Sequence, residues 1–316
     1  MHVLLTGSSG WLGRHLAPRL RAAGHAVIGV DVASGPDTQI VGSVADRAIV
    51  EAAFAQGVEA VIHAAALHKP DIARYPQQAF IDVNVTGTLN LLTAASAAKH
   101  DRFVFTSTTS LMIDQTIGDE VGDAAVWLDE TSGPLTPRNI YGVTKLAAES
   151  LCRLYAQEHG LPCVVLRTSR FFPEDDDTHR HLSGENIKAN ELLHRRLTVE
   201  DAADAHIAAL ARAPEIGFGT FIISAPTPFA PQDAGPLKRN AAAVIDRYFP
   251  DARELYAGRE WSLPTSIGRV YDPRLAEKQL GFRCATSFAD VLSALRQGGT
   301  LPVAHDAGYL SPKERT

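Results

Sequence analysis

A chain of 316 residues, 45% hydrophobic and 21% charged, has room for one large domain or two modest ones, and its balance argues against disordered and fibrous classes. With 30 Lys and Arg against 36 Asp and Glu, the formal net charge of −6 gives no bulk attraction for phosphate backbones, so no nucleic-acid partner is expected. No apolar run approaches the roughly 20 residues that span a bilayer. The strand-like segment from His2 to Leu5 leaves no room for a signal peptide, and Cys152, Cys163 and Cys284 lack disulfide or metal spacing. The expected setting is reducing and cytoplasmic, away from membranes, with Cys152 and Cys163 as buried core thiols.

In chain order, His2–Thr6 reads as a short apolar strand, Trp11–Ala23 as a helix and Ala26–Val30 as a second strand. Asp46–Gln56 is helical, Ala60–His63 a strand, Gln77–Lys99 one long helix and Arg102–Ser107 a strand. Tyr141–His159 then reads as a helix and Cys163–Arg167 as a strand. Short apolar strands separated by helices are the pattern of parallel βαβ units, since parallel strands need a crossover. These strands are apolar throughout, as expected when helices cover both faces. The prediction is an α/β fold built on a doubly wound parallel sheet.

After Arg167 the rhythm breaks. Phe171–Asn190 is polar and aperiodic, with an acidic stretch at Glu174–Asp177 that reads as a solvated loop. A helix over Val199–Arg212 and a strand over Gly219–Ser224 follow, then proline-rich Pro226–Pro236. Helices near Leu237–Tyr248 and Phe288–Arg296 and a loop-like tail, Gly298–Thr316, complete the chain. The expected division is a cofactor domain over 1–167, with a returning segment near 199–225. A small, discontinuous substrate region spans 168–198 and 226–316.

Thr6-Gly7-Ser8-Ser9-Gly10-Trp11-Leu12-Gly13 joins the first strand to the first helix. Gly7, Gly10 and Gly13 permit a sharp turn and close backbone approach to a pyrophosphate. The helix start at Trp11 and Leu12 supplies unpaired N–H groups and partial positive charge. Asp31 closes the second strand, where a carboxylate accepts both adenosine ribose hydroxyls and repels a 2′-phosphate. No Arg or Lys follows in Val32–Ile40. The cofactor read from these residues is NAD rather than NADP.

Tyr141 and Lys145 lie four residues apart at a helix start and so share a face. An ammonium beside a phenol favours the phenolate, which equips Tyr141 to exchange a proton with an alcohol or carbonyl as hydride moves. Alone, such a spacing also describes an ordinary amphipathic surface pair. Thr106-Ser107-Thr108-Thr109-Ser110 ends a strand, where functional residues of open parallel sheets collect, though five hydroxyls also suit a simple turn.

Taken together, TGSSGWLG at 6–13, Asp31, HAAA at 63–66, NVTGTLNLL at 84–92, VFTSTTS at 104–110 and YGVTK at 141–145 resemble the extended short-chain dehydrogenase/reductase family, in its NAD-dependent epimerase/dehydratase branch. The likeness continues through LR at 166–167, VEDAADAH at 199–206 and YDPRLAEKQLGF at 271–282. The resemblance implies a Rossmann sheet and NAD held by Gly7, Gly10, Gly13 and Asp31, with Ala64 and Asn84 lining the groove. It implies Tyr141 as the acid/base, Lys145 as ligand of the nicotinamide ribose and Thr108 as the catalytic hydroxyl, preceded by Ser107. It further implies a homodimer in which Gln77–Lys99 and Tyr141–His159 pair with their copies; Leu91, Leu92, Leu151 and Leu154 are the surplus apolar residues that suggest it.

The departures bear on substrate. Leu111-Met112-Ile113 stands where the family has a Tyr-Gly pair, and Asp114, Asp119, Glu120 and Asp123 follow. Ser43 replaces an Asp usual near the adenine, and Arg170-Phe171-Phe172-Pro173 replaces Tyr-Gly-Pro. The stretch from Arg167 to Val199 is much shorter than in nucleotide-sugar enzymes. Arg195 and Arg196 fall near the family's diphosphate-binding arginine, either holding an anionic substrate group or bridging surface charges. His179 and His181 lack a third spaced ligand, so no metal is expected. The reading is an NAD-dependent oxidoreductase moving hydride at a secondary hydroxyl or ketone of a small sugar-like substrate. The alternatives are a redox-neutral nucleotide-sugar epimerase/dehydratase and a non-catalytic NAD-sensing protein, which the intact Thr108, Tyr141 and Lys145 disfavour.

Overall fold

The computed structural model describes residues 1–175 and 182–314. Its strands are β1 (His2–Thr6), β2 (Ala26–Asp31), β3 (Ile40–Val41), β4 (Ala60–His63), β5 (Phe103–Thr108), β6 (Val126–Leu128), β7 (Cys163–Thr168), β8 (Phe218–Ile223) and β9 (Arg269–Tyr271). The helices are α1 (Trp11–Ala22), α2 (Arg47–Phe54), α3 (Gln77–Phe80), α4 (Gly87–Ala97), α5 (Gln115–Gly118), α6 (Ile140–His159), α7 (Gly184–Glu191), α8 (Val199–Ile216), α9 (Ala234–Tyr248), α10 (Ala252–Ala257) and α11 (Phe288–Gln297). Seven strands pair in parallel in the order β3-β2-β1-β4-β5-β7-β8. That is the doubly wound sheet the apolar strand runs predict.

Helices start where side chains cap them. Asp46 Oδ1 accepts from Ala48 N at 2.9 Å for α2, Asn139 Oδ1 from Gly142 N at 3.0 Å for α6, and Thr198 Oγ1 from Asp201 N at 3.1 Å for α8. Gly160, at φ +64°, ends α6 in a left-handed turn that favours glycine. On one face of the sheet, Leu16 and Leu20 of α1 and Ala202, Ala209 and Leu210 of α8 bury Val3, Leu5, Val104 and Val164. On the other, Val50 of α2, Leu91 and Leu92 of α4 and Cys152 of α6 bury Leu4, Val61, Phe103 and Phe105. The connections leave β1 and β4 toward opposite edges, and a crevice opens at their carboxyl ends.

Three elements differ from expectation. The single helix over Gln77–Lys99 is instead α3, a π turn at Ile81–Thr86, and α4. The wider turn accompanies an inward amide: Asn84 is buried and bonds Leu67 on the loop after β4. The polar Phe171–Asn190 stretch holds α7, capped by Ser183. Its burial involves Asn186, Lys188, Asn190 and Glu191, so no apolar period announced it. Third, β6 pairs in parallel with β9, Val126 opposite Arg269 and Leu128 opposite Tyr271. Leu192, Leu237, Ile245, Tyr256, Val270 and Phe288 form a separate core beside this pair. No helix among the described residues is long and apolar enough to cross a membrane.

Leu91 and Leu92, read above as surplus, are core residues, 1% and 0% exposed. Leu154, by contrast, is 40% exposed, and Leu89 of α4 and Val143 of α6 are exposed as well. Replacing Leu92 with Ala is expected to lower stability by about 2–5 kcal/mol through the cavity it leaves. A urea-unfolding midpoint unchanged from wild type would show the side chain is not packed as described.

Candidate active site

The glycine loop is built to exclude side chains. Gly7 sits at φ +74°, and a Cβ there would lie 2.9 Å from Ala65 N. At Gly13 a Cβ would fall 2.1 Å from Gly7 O. Gly10 caps α1 without a side chain, so the first-turn N–H groups of Trp11 and Leu12 keep no side-chain acceptor from the cap. Asp31 stands beside this loop: its Oδ2 accepts from Ser9 N at 3.0 Å and its Oδ1 from Ala33 N at 2.9 Å. Each oxygen retains a further lone pair for a ribose hydroxyl. Arg21 of α1 pairs with Asp37, beyond β2, at 2.5 Å. Ser43 Oγ accepts from Ala45 N at 3.2 Å, a turn-stabilising contact. A Cβ-free cradle, an open helix start and a carboxylate closing β2 fit a dinucleotide with free ribose hydroxyls.

The opposite wall follows β4. Ala64 N donates to Thr6 O at 3.3 Å, which sets Ala64 and Ala65 against Gly7. Asn84 lies behind this wall. Its Oδ1 accepts from Leu67 N at 2.9 Å, and its Nδ2 donates to Leu67 O at 2.9 Å and Thr144 Oγ1 at 3.0 Å. It shapes the loop and ties it to α6. His63 bridges Thr6 Oγ1 (2.8 Å) and Thr88 Oγ1 (3.0 Å), and burial holds its pKa well below the usual histidine range.

Thr108 at the end of β5 and Tyr141 on α6 come close enough for the Thr108 hydroxyl to act on the phenol. Thr108 Oγ1 accepts from Ser110 N at 3.1 Å, which fixes its rotamer. Burial pushes the Tyr141 phenol up to about 12, a rise that the Thr108 hydroxyl opposes and the Asp71 carboxylate reinforces. Lys145 is 3% exposed; its Nζ donates to Thr106 O at 2.5 Å and lies 4.0 Å from the Phe105 ring centroid. Burial lowers its pKa to about 7 against the opposing pull of Glu149. The expectation that Lys145 holds Tyr141 as phenolate is therefore corrected for the chain's own groups: burial keeps the phenol protonated, and the Lys145 ammonium is turned to the Thr106 carbonyl.

Ser107 turns the other way, as alternation along a strand requires. Its Oγ donates to Glu149 Oε1 at 2.6 Å, away from Tyr141. Glu149 in turn binds Arg167 of β7 through Nε at 3.0 Å and Nη2 at 2.7 Å, both residues nearly fully buried. Sequence reasoning passed over Glu149. The signal was its place one helical turn beyond Lys145 and two beyond Tyr141.

Arg195 and Arg196 share Glu191, at 3.0 and 2.8 Å, and Arg170 approaches the same carboxylate at 3.8 Å. These guanidinium groups drive Glu191 far below the usual carboxylate range despite its burial. Arg196 also bonds Phe172 O. The Phe172 ring lies 5.1 Å from His68, and Phe171 O accepts from Trp11 Nε1 at 3.2 Å, so the cluster adjoins the crevice. His179, His181, Asp176 and Asp177 lie outside the described residues. Among the described residues no group of three His, Cys, Asp or Glu is placed to hold a metal ion.

Comparison with known proteins agrees with this geometry. Residues 3–220 match the family model described as the NAD dependent epimerase/dehydratase family. The chain is 33% identical over 180 residues to L-arabinose 1-dehydrogenase (NAD(P)(+)) of Haloferax volcanii, covering 55% of this chain and 68% of that protein. It is 34% identical over 174 residues to UDP-glucose 4-epimerase of Rhizobium meliloti, covering 52% of this chain but only 50% of that one. The fold is similar to a short-chain dehydrogenase/reductase superfamily protein from Agrobacterium tumefaciens with bound NAD (TM-score 0.65, 23% identity, 94% and 98% of the two chains). It is likewise similar to UDP-N-acetylglucosamine 4-epimerase from Bacillus cereus (TM-score 0.65, 20% identity, 94% and 98%). With the family model spanning more than half its length, this chain belongs to the NAD-dependent epimerase/dehydratase family of the extended short-chain dehydrogenases/reductases.

Proposed function

We propose that this NAD-dependent enzyme oxidises a secondary hydroxyl, or reduces the corresponding ketone, of a compact anionic sugar or related hydroxy acid. The observation that carries the reading is the approach of the Thr108 hydroxyl, at the carboxyl end of β5, to the Tyr141 phenol, with Lys145 one helical turn along α6. When bound, NAD supplies the carbon that accepts or returns hydride. Gly7, Gly10, Trp11, Leu12, Gly13 and Asp31 hold it, and Ala64 lines its groove. Thr108 Oγ1 orients the reacting oxygen, and Tyr141 Oη takes or gives its proton. Lys145 fixes the nicotinamide ribose.

The substrate preference rests on the stretch between β7 and α8. It supplies Arg170, Arg195 and Arg196 around Glu191, next to Phe172 and the crevice. Such a cluster suits one carboxylate or phosphate rather than an extended diphosphate and base. On this reading residues 168–198 and 226–316 form the substrate side and 1–167 the cofactor side. Redox-neutral epimerisation of a nucleotide sugar is the second reading, favoured by the name of the Rhizobium meliloti relative. NADH absorbance followed alongside product stereochemistry by NMR separates them. Stoichiometric NADH change is expected, and turnover of a UDP-sugar to its epimer without it would reverse the preference.

We also propose a cytoplasmic homodimer. Exposed Leu89 of α4 and Val143 and Leu154 of α6 lie on helices that cover the same sheet face, and a second copy would bury them. The free cysteines, all buried, suit a reducing compartment.

Four outcomes test these proposals. Tyr141→Phe is expected to keep NAD binding by calorimetry and lose about 10²–10⁴-fold in turnover. Lys145→Met should damage both. Asp31→Ala should narrow the preference for NAD over NADP by about tenfold, roughly the 1.5 kcal/mol of a charge-assisted hydrogen bond; a wild-type preference for NADP would reverse the cofactor assignment. Light scattering at micromolar concentration should give a dimer mass, converted to monomer by Leu154→Glu with Val143→Glu. A monomeric wild type sinks the dimer.

A further inference from the structure

The described residues after α11 form no helix beyond a single turn at Pro312–Glu314, yet they are tied down along their length. Val303 packs into the smaller core. His305 Nδ1 lies 2.8 Å from Lys188 Nζ, and Asp306 N donates to Pro173 O at 2.9 Å. Tyr309 meets Trp11 edge-on at 5.1 Å between ring centroids, with the Arg14 guanidinium 5.6 Å from its own ring. Lys313 Nζ then donates to Asp71 Oδ2 at 2.5 Å, and Glu314 pairs with Arg74.

These anchors stand on the two walls of one crevice. Trp11 and Arg14 belong to α1, directly after the glycine loop. Asp71 and Arg74 belong to the turn that follows the β4 wall, which packs on α6, and Asp71 is near enough to act on the Tyr141 phenol. Running from Trp11 to Asp71, the segment crosses the interval between the pyrophosphate cradle and the catalytic tyrosine. The far anchor depends on charge. Asp71 is fully buried, Oδ2 also accepts from His68 N at 2.7 Å, and Oδ1 has no hydrogen-bond partner. A carboxylate so placed needs a counter-ion, and Lys313 brings one from a segment with little apolar area of its own.

We propose that residues 305–314 form a strap over the nicotinamide half of the dinucleotide groove, latched where Lys313 meets Asp71, and that the dinucleotide enters and leaves only when this latch opens. The inference rests on the crevice being the NAD site and goes beyond it by assigning a gate. Opening is a local event, because the strap adds no strand to the sheet and its release leaves both main cores intact.

The test is stopped-flow fluorescence of NADH binding to the full chain, wild type against Lys313→Ala/Glu314→Ala and against Lys313→Arg. The double variant should bind and release NADH about tenfold faster, as when a closed state outnumbering the open one ten to one is abolished. The charge-preserving Lys313→Arg should stay within about twofold of wild type. Hydrogen exchange run in parallel should show faster exchange over residues 305–314 and unchanged protection in β1, β4 and β5, which establishes that the variant is folded and the strap released. Unchanged NADH rates, with or without a released strap, overturn the proposal. So does weaker binding without faster association, which would make the segment a fixed wall. Failure of the NAD assignment is visible separately, as absence of NADH binding to the wild type by calorimetry.

Discussion

At the carboxyl ends of β5 and β7 the geometry hangs on one buried ion pair, Glu149 with Arg167. Glu149 stands on the helix that carries Tyr141 and Lys145, Arg167 on β7, and Ser107 of β5 donates to the same carboxylate. The strand positions are locked further by Thr168 Oγ1 donating to Ser107 O at 3.1 Å. Three elements are thus held in register at the level where Thr108 meets the phenol. Such a pair earns little net stability, since desolvation of both charges offsets their attraction, but losing either partner strands the other at a cost of about 3–5 kcal/mol. Its value here is positional. A helix sliding on a smooth apolar face would carry Tyr141 away from Thr108, and a bidentate pair resists that slide.

Burial acts on the two titratable groups of the site in opposite directions. It keeps the phenol protonated and drives the ammonium toward neutrality, so each arrives near its less charged form. The protein thereby holds both groups in a region of low polarity, where any added charge has a large effect.

How much of this was readable from the chain follows from the kind of force involved. The sheet was legible because β1, β4, β5 and β7 each open on an apolar run and are covered on both faces, and the glycine loop because backbone approach forbids a Cβ at Gly7 and Gly13. Thr108 was distinguishable from Ser107 only through the family likeness, although strand alternation makes the two face apart. Arrangements made by polar contacts at long separation were not legible. The Arg170–Arg195–Arg196 convergence on Glu191, the π turn that lets Asn84 grip Leu67, and α7 with its buried Lys188 carry no apolar period. The tail reads as loop because it is loop; its docking depends on Trp11 and Asp71, hundreds of residues away in the chain.

The pairing of β6 with β9 has a consequence for how this chain comes to be folded as it is made. Every strand of the large sheet lies before residue 224, so that sheet can close while the remainder is still being synthesised. Val126–Leu128 cannot take its place then. Its strand partner, Arg269–Tyr271, emerges much later, and Trp127 Nε1 waits for Asp272, its acceptor at 3.2 Å. For that interval an extended, partly apolar segment stands beside a finished domain with its edge unprotected, the condition under which strands recruit the wrong neighbour. The acidic residues just before it, Asp119, Glu120 and Asp123, put like charge on that segment in every copy and so discourage two unfinished chains from pairing there.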